Sequence, residues 1–191
     1  MVSAIVFLAP GFEEIETTTV VDFLRRCGVE VVVAGLESSV IEGGHGMKLV
    51  SDISIDEADV EDFEVVICPG GNPGYVNLRK DPRVLTMIKE AFNSNKLVAA
   101  ICAAPAVLSD AGILKDKNCT IYPGMEVELE KGGGKPRNDL VVEDGNVITS
   151  QGPATAFLFA FSIANRIVNK KITNMVWEKT LANRTMRCLL Y

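Results

Sequence analysis

Residues Lys96 to Gly112 read KLVAAICAAPAVLSDAG. Leu97-Val98-Ala99-Ala100-Ile101 is a short, unbroken apolar run, the pattern of a strand buried on both faces of a parallel sheet. Cys102 follows at once. Ala103 to Leu108 then reads as a helix that tolerates Pro105 in its first turn, with Gly112 as its stop. Cys102 is thereby placed on a strand-to-helix corner. Ala100, Ala103 and Ala104 are small enough to let the backbone close there. Ala-Ile-Cys-Ala-Ala is a thiol form of the small-x-nucleophile-x-small elbow. A helix N-terminus would also favour the thiolate. Free cysteines are equally common as buried structural residues, so this stretch alone leaves both readings open.

Working outward, Ser3 to Ala9 reads as the first strand, broken by Pro10-Gly11. Glu13-Glu14-Ile15-Glu16 opens a helix to about Cys27, with Gly28 as its stop, and Val29 to Ala34 is the second strand. Strand–helix–strand is the opening of a doubly wound sheet. Val40–Glu42 and Met47–Val50 are expected to pair around a glycine-rich turn containing His45. Phe63 to Cys68 is a further parallel-type strand ending in the Pro69–Gly74 loop. Pro82 to Ser94 reads as an amphipathic helix and Cys119 to Tyr122 as a short strand. Met125 to Arg137 reads as irregular, and Leu140–Glu143 with Val147–Ser150 as a hairpin about Asp144-Gly145-Asn146. Ala154–Val168 and Ile172–Leu181 are the last expected helices.

The chain has 191 residues, 48% apolar and 23% charged, with 19 basic and 25 acidic side chains. These values fit one globular domain over residues 1–191. A net charge of -6 without a basic stripe points away from nucleic acid and anionic membranes. The N-terminus lacks a secretory pattern, and no apolar run approaches membrane-spanning length. The five cysteines (27, 68, 102, 119, 188) form no CxxC, and there is one histidine. Free thiols in a reducing cytoplasm and no metal site are the resulting expectations.

Sites in open α/β sheets form at the carboxyl ends of strands. Three loops meet that condition: Ala9–Glu16, Pro69–Gly74 and the Cys102 corner. One of Glu13, Glu14 and Glu16 can face the sulfur as a proton carrier, leaving the other two as a solvated helical turn. Gly70-Gly71 and Ala103 offer N–H donors to an oxyanion, or Gly70-Gly71 is a plain tight turn. His45 would have to serve any Cys–His dyad, from its own subunit or a second one, yet its glycine-rich turn reads as an exposed loop. Tyr122 is either a hydrogen-bond donor at the site or a half-buried aromatic.

Four motifs, in order, carry a resemblance: APGFEEIE (9–16), PGGN (69–72), AAICA (99–103) and TSQGPAT (149–155). Together they resemble the DJ-1/ThiJ/PfpI family, in particular the branch of the parkinsonism-associated protein deglycase and its bacterial relatives. The resemblance implies a flavodoxin-like three-layer α/β sandwich of the class I glutamine-amidotransferase type, without cofactor or metal, paired as a homodimer. It implies Cys102 as an oxidation-sensitive nucleophile, Glu16 as its protonated partner, and Gly71 and Ala103 as oxyanion donors. Ala103 stands where the peptidase-like branch has a histidine, which argues against peptidase activity. Tyr122-Pro123 stands where the deglycase branch often has His-Pro, while His45 and Gln151 align where relatives can carry arginines.

The implied activity is conversion of α-oxoaldehydes such as methylglyoxal to hydroxy acids, or removal of early glycation adducts. The alternative is a redox sensor or stress chaperone. Cys102 is expected to ionise at about pH 6 to 7, against about 8.5 for an unperturbed thiol.

Overall fold

The computed structural model describes residues 2–188, with side chains to 185. Strand β1 (Ser3–Leu8) leads to α1 (Glu14–Arg26), β2 (Glu30–Gly35) and the small strands β3 (Val40–Glu42), β4 (Lys48–Val50) and β5 (Ile53–Ser54). Next come β6 (Val65–Cys68), α2 (Gly74–Lys80), α3 (Pro82–Asn93), β7 (Leu97–Ile101) and α4 (Pro105–Asp110). The remainder is β8 (Asn118–Cys119), α5 (Glu126–Lys131), β9 (Lys135–Pro136), β10 (Val141–Asp144), β11 (Val147–Ser150), α6 (Ala156–Ile167), α7 (Lys170–Lys179) and α8 (Ala182–Cys188).

Seven strands form the central sheet in the order β10-β11-β7-β6-β1-β2-β5. All neighbours run parallel except β10, which returns antiparallel to β11. The apolar strand runs have a direct physical use: alternate residues serve opposite cores. Ile5, Phe7, Val66, Cys68, Val98 and Ala100 face one core, with Val84 and Ile88 of α3 and Val107 of α4. Ala4, Val6, Val65, Ile67, Ala99 and Ile101 face the other, with Phe23 of α1 and Phe159 and Ile163 of α6. The result is a flavodoxin-like three-layer sandwich. Among the described residues no helix is long and apolar enough to cross a membrane.

The expected β3–β4 and β10–β11 hairpins are present, the latter turning at Gly145 with φ +63°. Four local readings need correction. The strand expected over Cys119–Tyr122 stops at Cys119: Thr120 donates its N–H to Thr149 Oγ1, and Tyr122 donates to the Cys102 carbonyl. Met125–Arg137 is not irregular throughout, since Glu126–Lys131 is helical and Lys135–Pro136 pairs with β8. Two helices, α2 and α8, have no counterpart in the sequence reading. Helix α4 begins at Pro105 rather than Ala103, because Cys102 to Ala104 are used to make the corner.

Candidate active site

Strand β7 ends at Ile101, and Cys102 has φ +62°. A side chain rarely occupies this left-handed region, so the surroundings must hold it there. They do: the Cys102 N–H donates to the Ser150 carbonyl at 2.9 Å, and the Cys102 carbonyl accepts from Tyr122 N–H at 2.9 Å. The elbow also needs a neighbour without a side chain. A Cβ placed on Gly70 would lie 2.7 Å from Cys102 Cβ and 2.7 Å from Glu16 Oε2.

Helix α1 supplies the acids. The expectation of a solvated first turn does not hold, because Glu13, Glu14 and Glu16 are all buried, at 8%, 5% and 0% exposure. Each has its own task. Glu13 caps α1, its Oε2 accepting the Glu16 N–H at 2.7 Å. Glu14 accepts the His45 backbone N–H at 2.6 Å and contacts His45 Nδ1 at 2.8 Å, fixing the β3–β4 turn. Glu16 accepts the Gly70 N–H at 2.8 Å through Oε2, while Oε1 is buried without a hydrogen-bond partner.

Burial drives the Glu16 carboxyl up to about 7; the Gly70 N–H opposes this, the Glu13 charge adds to it, and the neighbouring Cys102 thiol opposes it. The Cys102 thiol moves in the direction opposite to the sequence expectation. Burial and the neighbouring Glu16 carboxyl push it up to about 12, and the N–H groups of Ala103 and Gly71 offset only part of this. Helix α4 spans only six residues and starts beyond the corner, so its end supplies too little to reverse the effect of burial. Two acids this close release their protons in separated steps that belong to the pair. The carboxyl gives up its proton first, and the proton that remains is held on the sulfur.

The sulfur opens into a cleft of about 480 Å³. Phe12, Tyr75, Tyr122 and Met125 form much of its wall, with Glu13 and His45 on the same rim. Gly71 and Ala103 line it too, and their N–H groups lower the thiol's pKa. Gly71 has φ +94°, and a Cβ there would fall 2.3 Å from Glu13 N, so only glycine can present this N–H. The structure thus gathers Cys102, Glu16, Gly71, Ala103, Tyr122 and His45. The His45 side chain is 78% exposed, as its loop suggested; its pairing with Glu14 raises its pKa. Gln151 is not brought to the cleft, its Nε2 approaching Asn138 Oδ1 at 3.4 Å instead. Phe12, Glu13, Tyr75 and Met125 are wall residues the sequence reading did not single out as such; the position of Phe12 and Glu13 beside Glu16 was the available signal. Glu13, Glu14 and His45 also bring three donor atoms within 4.8 Å of one another, but capping and pairing already occupy Glu13 Oε2 and Glu14.

A parallel sandwich with a cysteine on a nucleophile elbow, a buried carboxyl at the sulfur and two backbone donors defines a class of thiol-bearing α/β proteins. The chain belongs to the DJ-1/PfpI family, whose model matches residues 2–166. Protein dj-1beta of Drosophila melanogaster is 38% identical over 170 residues, covering 88% of this chain and 91% of its own. Glutathione-independent glyoxalase DJR-1.2 of Caenorhabditis elegans is 35% identical over 173 residues, covering 90% and 92%. The crystal structure of Drosophila melanogaster DJ-1beta superposes with a TM-score of 0.89 at 37% identity, covering 94% of this chain and 97% of that one. An oxidized Toxoplasma gondii DJ-1 structure gives 0.89 at 30% identity, covering 95% and 98%.

Proposed function

We propose that this chain is a cysteine enzyme acting on α-oxoaldehydes, free or as early glycation adducts, in the manner of a glutathione-independent glyoxalase. The observation that supports it is the meeting of Cys102, Gly71 and Ala103 in one cleft, with the buried Glu16 carboxyl beside the sulfur. The name of the Caenorhabditis elegans relative supports the reaction class.

With methylglyoxal, the Cys102 sulfur bonds to the aldehyde carbon as its S–H proton passes to the Glu16 carboxylate. The aldehyde oxygen takes negative charge and is met by the two N–H donors. Glu16 passes that proton to the oxygen, which gives a neutral hemithioacetal and leaves Glu16 as a carboxylate. Glu16 then removes the proton on the former aldehyde carbon and returns one to the neighbouring carbon through an enediol, which leaves a lactoyl thioester. Water attacks the thioester, releases lactate and restores the thiol. Overall, one methylglyoxal and one water become one lactic acid, with no net oxidation. The test is lactate formation from methylglyoxal by purified protein without added thiol. Lactate above a Cys102→Ala control is the expected result; none above it overturns the reading.

A second reading rests on the same sulfur. The exposure of Cys102, together with N–H donors aimed at it, suits a sensor in which peroxide oxygens add to sulfur and are held as a sulfinate. We further propose a cytoplasmic homodimer built on the α1–α6 side, where Ile15 and Phe157 are 55% and 36% exposed. Light scattering at micromolar concentration is expected to give the mass of two chains, and the mass of one would exclude this pairing.

A further inference from the structure

The cleft is unevenly charged, and the inference below rests on the oxoaldehyde reading while sharpening it. Glu13 is more than nine-tenths buried, yet it lines the cleft wall. Its Oε2 is committed to the cap of α1. Glu14 is engaged by His45, whose Nδ1 lies 2.8 Å from its Oε2. Among the described residues, no lysine or arginine lines this cleft. The Cys102–Glu16 pair adds negative charge once its first proton is lost. The uncharged wall consists of ring faces and a thioether, from Phe12, Tyr75, Tyr122 and Met125. Ring faces and a carboxylate both attract cations. An anion entering here meets carboxylates, with His45, engaged by Glu14, as the one basic side chain among the described lining residues. Size points the same way: a cleft of about 480 Å³ lies in the range that holds drug-sized ligands, and a three-carbon aldehyde leaves most of it unfilled.

We propose that the Cys102 cleft selects uncharged and cationic aldehydes, such as aryl oxoaldehydes or adducts carried near an ammonium or guanidinium group, over phosphorylated or carboxylated ones. Glu13 is the specificity-determining carboxylate, and the tyrosine and phenylalanine rings are the apolar walls. Neither role requires Glu13 to touch the reacting atoms.

Two methanethiosulfonate reagents of similar size test this, one ending in trimethylammonium and one in sulfonate. Each joins a thiolate in a mixed disulfide and expels methanesulfinate, so the chemistry is identical and only the charge differs. Rates at Cys102, corrected with Cys102→Ala and divided by rates with 2-mercaptoethanol, are expected to favour the cation by about tenfold at low salt, the effect of one partly screened unit charge at close range. Glu13→Gln keeps a carbonyl oxygen for the cap and should bring the ratio within about threefold of unity. Both reagents meet the same thiolate, so altered thiol acidity cancels from the ratio. A normalised ratio at or below one, or one unmoved by Glu13→Gln in protein of unchanged circular dichroism, overturns the proposal. In parallel, kcat/KM should be higher for 4-(trimethylammonio)phenylglyoxal than for 4-carboxyphenylglyoxal, and the reverse order overturns the proposal. A cation preference in disulfide formation with no turnover of either glyoxal supports the charge selection and removes the oxoaldehyde reading.

Discussion

Gly70 donates its N–H to Glu16 Oε2 at 2.8 Å and has no space for a side chain between that oxygen and Cys102 Cβ. One residue therefore sets the distance between acid and nucleophile. Gly70→Ala would force Cys102, Glu16 or both aside. Overpacking of this kind costs about 1–3 kcal/mol. A fall of at least tenfold in kcat is expected even in protein that remains folded, since small misplacements are amplified in turnover. A Gly70→Ala protein with parental kcat would show that the spacing is not critical.

Glu16 binds its proton more tightly in the folded chain, at about 7 against an ordinary 4.5. The native state thus holds the extra proton between these values, and stability falls as pH rises through that window. Its contribution is complete below about pH 4.5 and is lost as pH rises to about 7, at a cost of about 3 kcal/mol at the upper bound. Glu16→Gln cannot ionise and should lack this slope, which urea midpoints at pH 5 and pH 8 would reveal. Turnover should follow the opposite trend. Loss of the first proton from the Cys102–Glu16 pair activates it, so kcat/KM should rise with an apparent pKa near 7. Glu16→Gln should lower it by two to four orders of magnitude. A flat profile in the parent would separate Glu16 from the chemistry.

Accessibility rather than acidity should distinguish the thiols. Cys27, Cys68 and Cys119 are 3%, 0% and 0% exposed, whereas Cys102 is partly exposed. Burial raises Cys27 and Cys119 to about 11, while Cys102 stands at about 12. Among these four, iodoacetamide should label Cys102 first, and its rate should still be climbing above pH 9. The side chain of Cys188 lies outside the described residues. Peptide mass spectrometry of the native protein decides the matter; earlier labelling of Cys27, Cys68 or Cys119 would displace Cys102 as the reactive site.

His45 is held through Glu14 rather than by Cys102, and its ring is largely in solvent. His45→Ala should therefore retain turnover within several-fold of the parent. A loss of a hundredfold or more, the scale of a missing general base, would assign the imidazole a direct role.

The legible parts of the sequence were those governed by local rules. The run Leu97–Ile101 announced a strand buried on both faces, and Asp144-Gly145-Asn146 announced its hairpin. Cys102 was legible because small residues flank it at a strand end. The task of Glu14 was not, because it depends on a turn some thirty residues away; that of Glu13 was hidden because glutamate is not a usual N-cap residue. The thiol's acidity was misjudged for a related reason. A helix start can be read from sequence, whereas the burial of a carboxyl beside the sulfur emerges only when β6, β7 and α1 are assembled. Helix α2 went unread because it opens on Gly74 after a proline, without a side-chain cap.

The two backbone bonds that pin Cys102 come from Tyr122 and Ser150, both well downstream of it. During biosynthesis, the strand that carries the cysteine emerges long before the carbonyl of Ser150 that receives its N–H. Contacts of such long sequence separation form late, because loop closure precedes any gain from them. The left-handed kink belongs to the finished sheet, so chains truncated before Ser150 should carry the cysteine without the elbow.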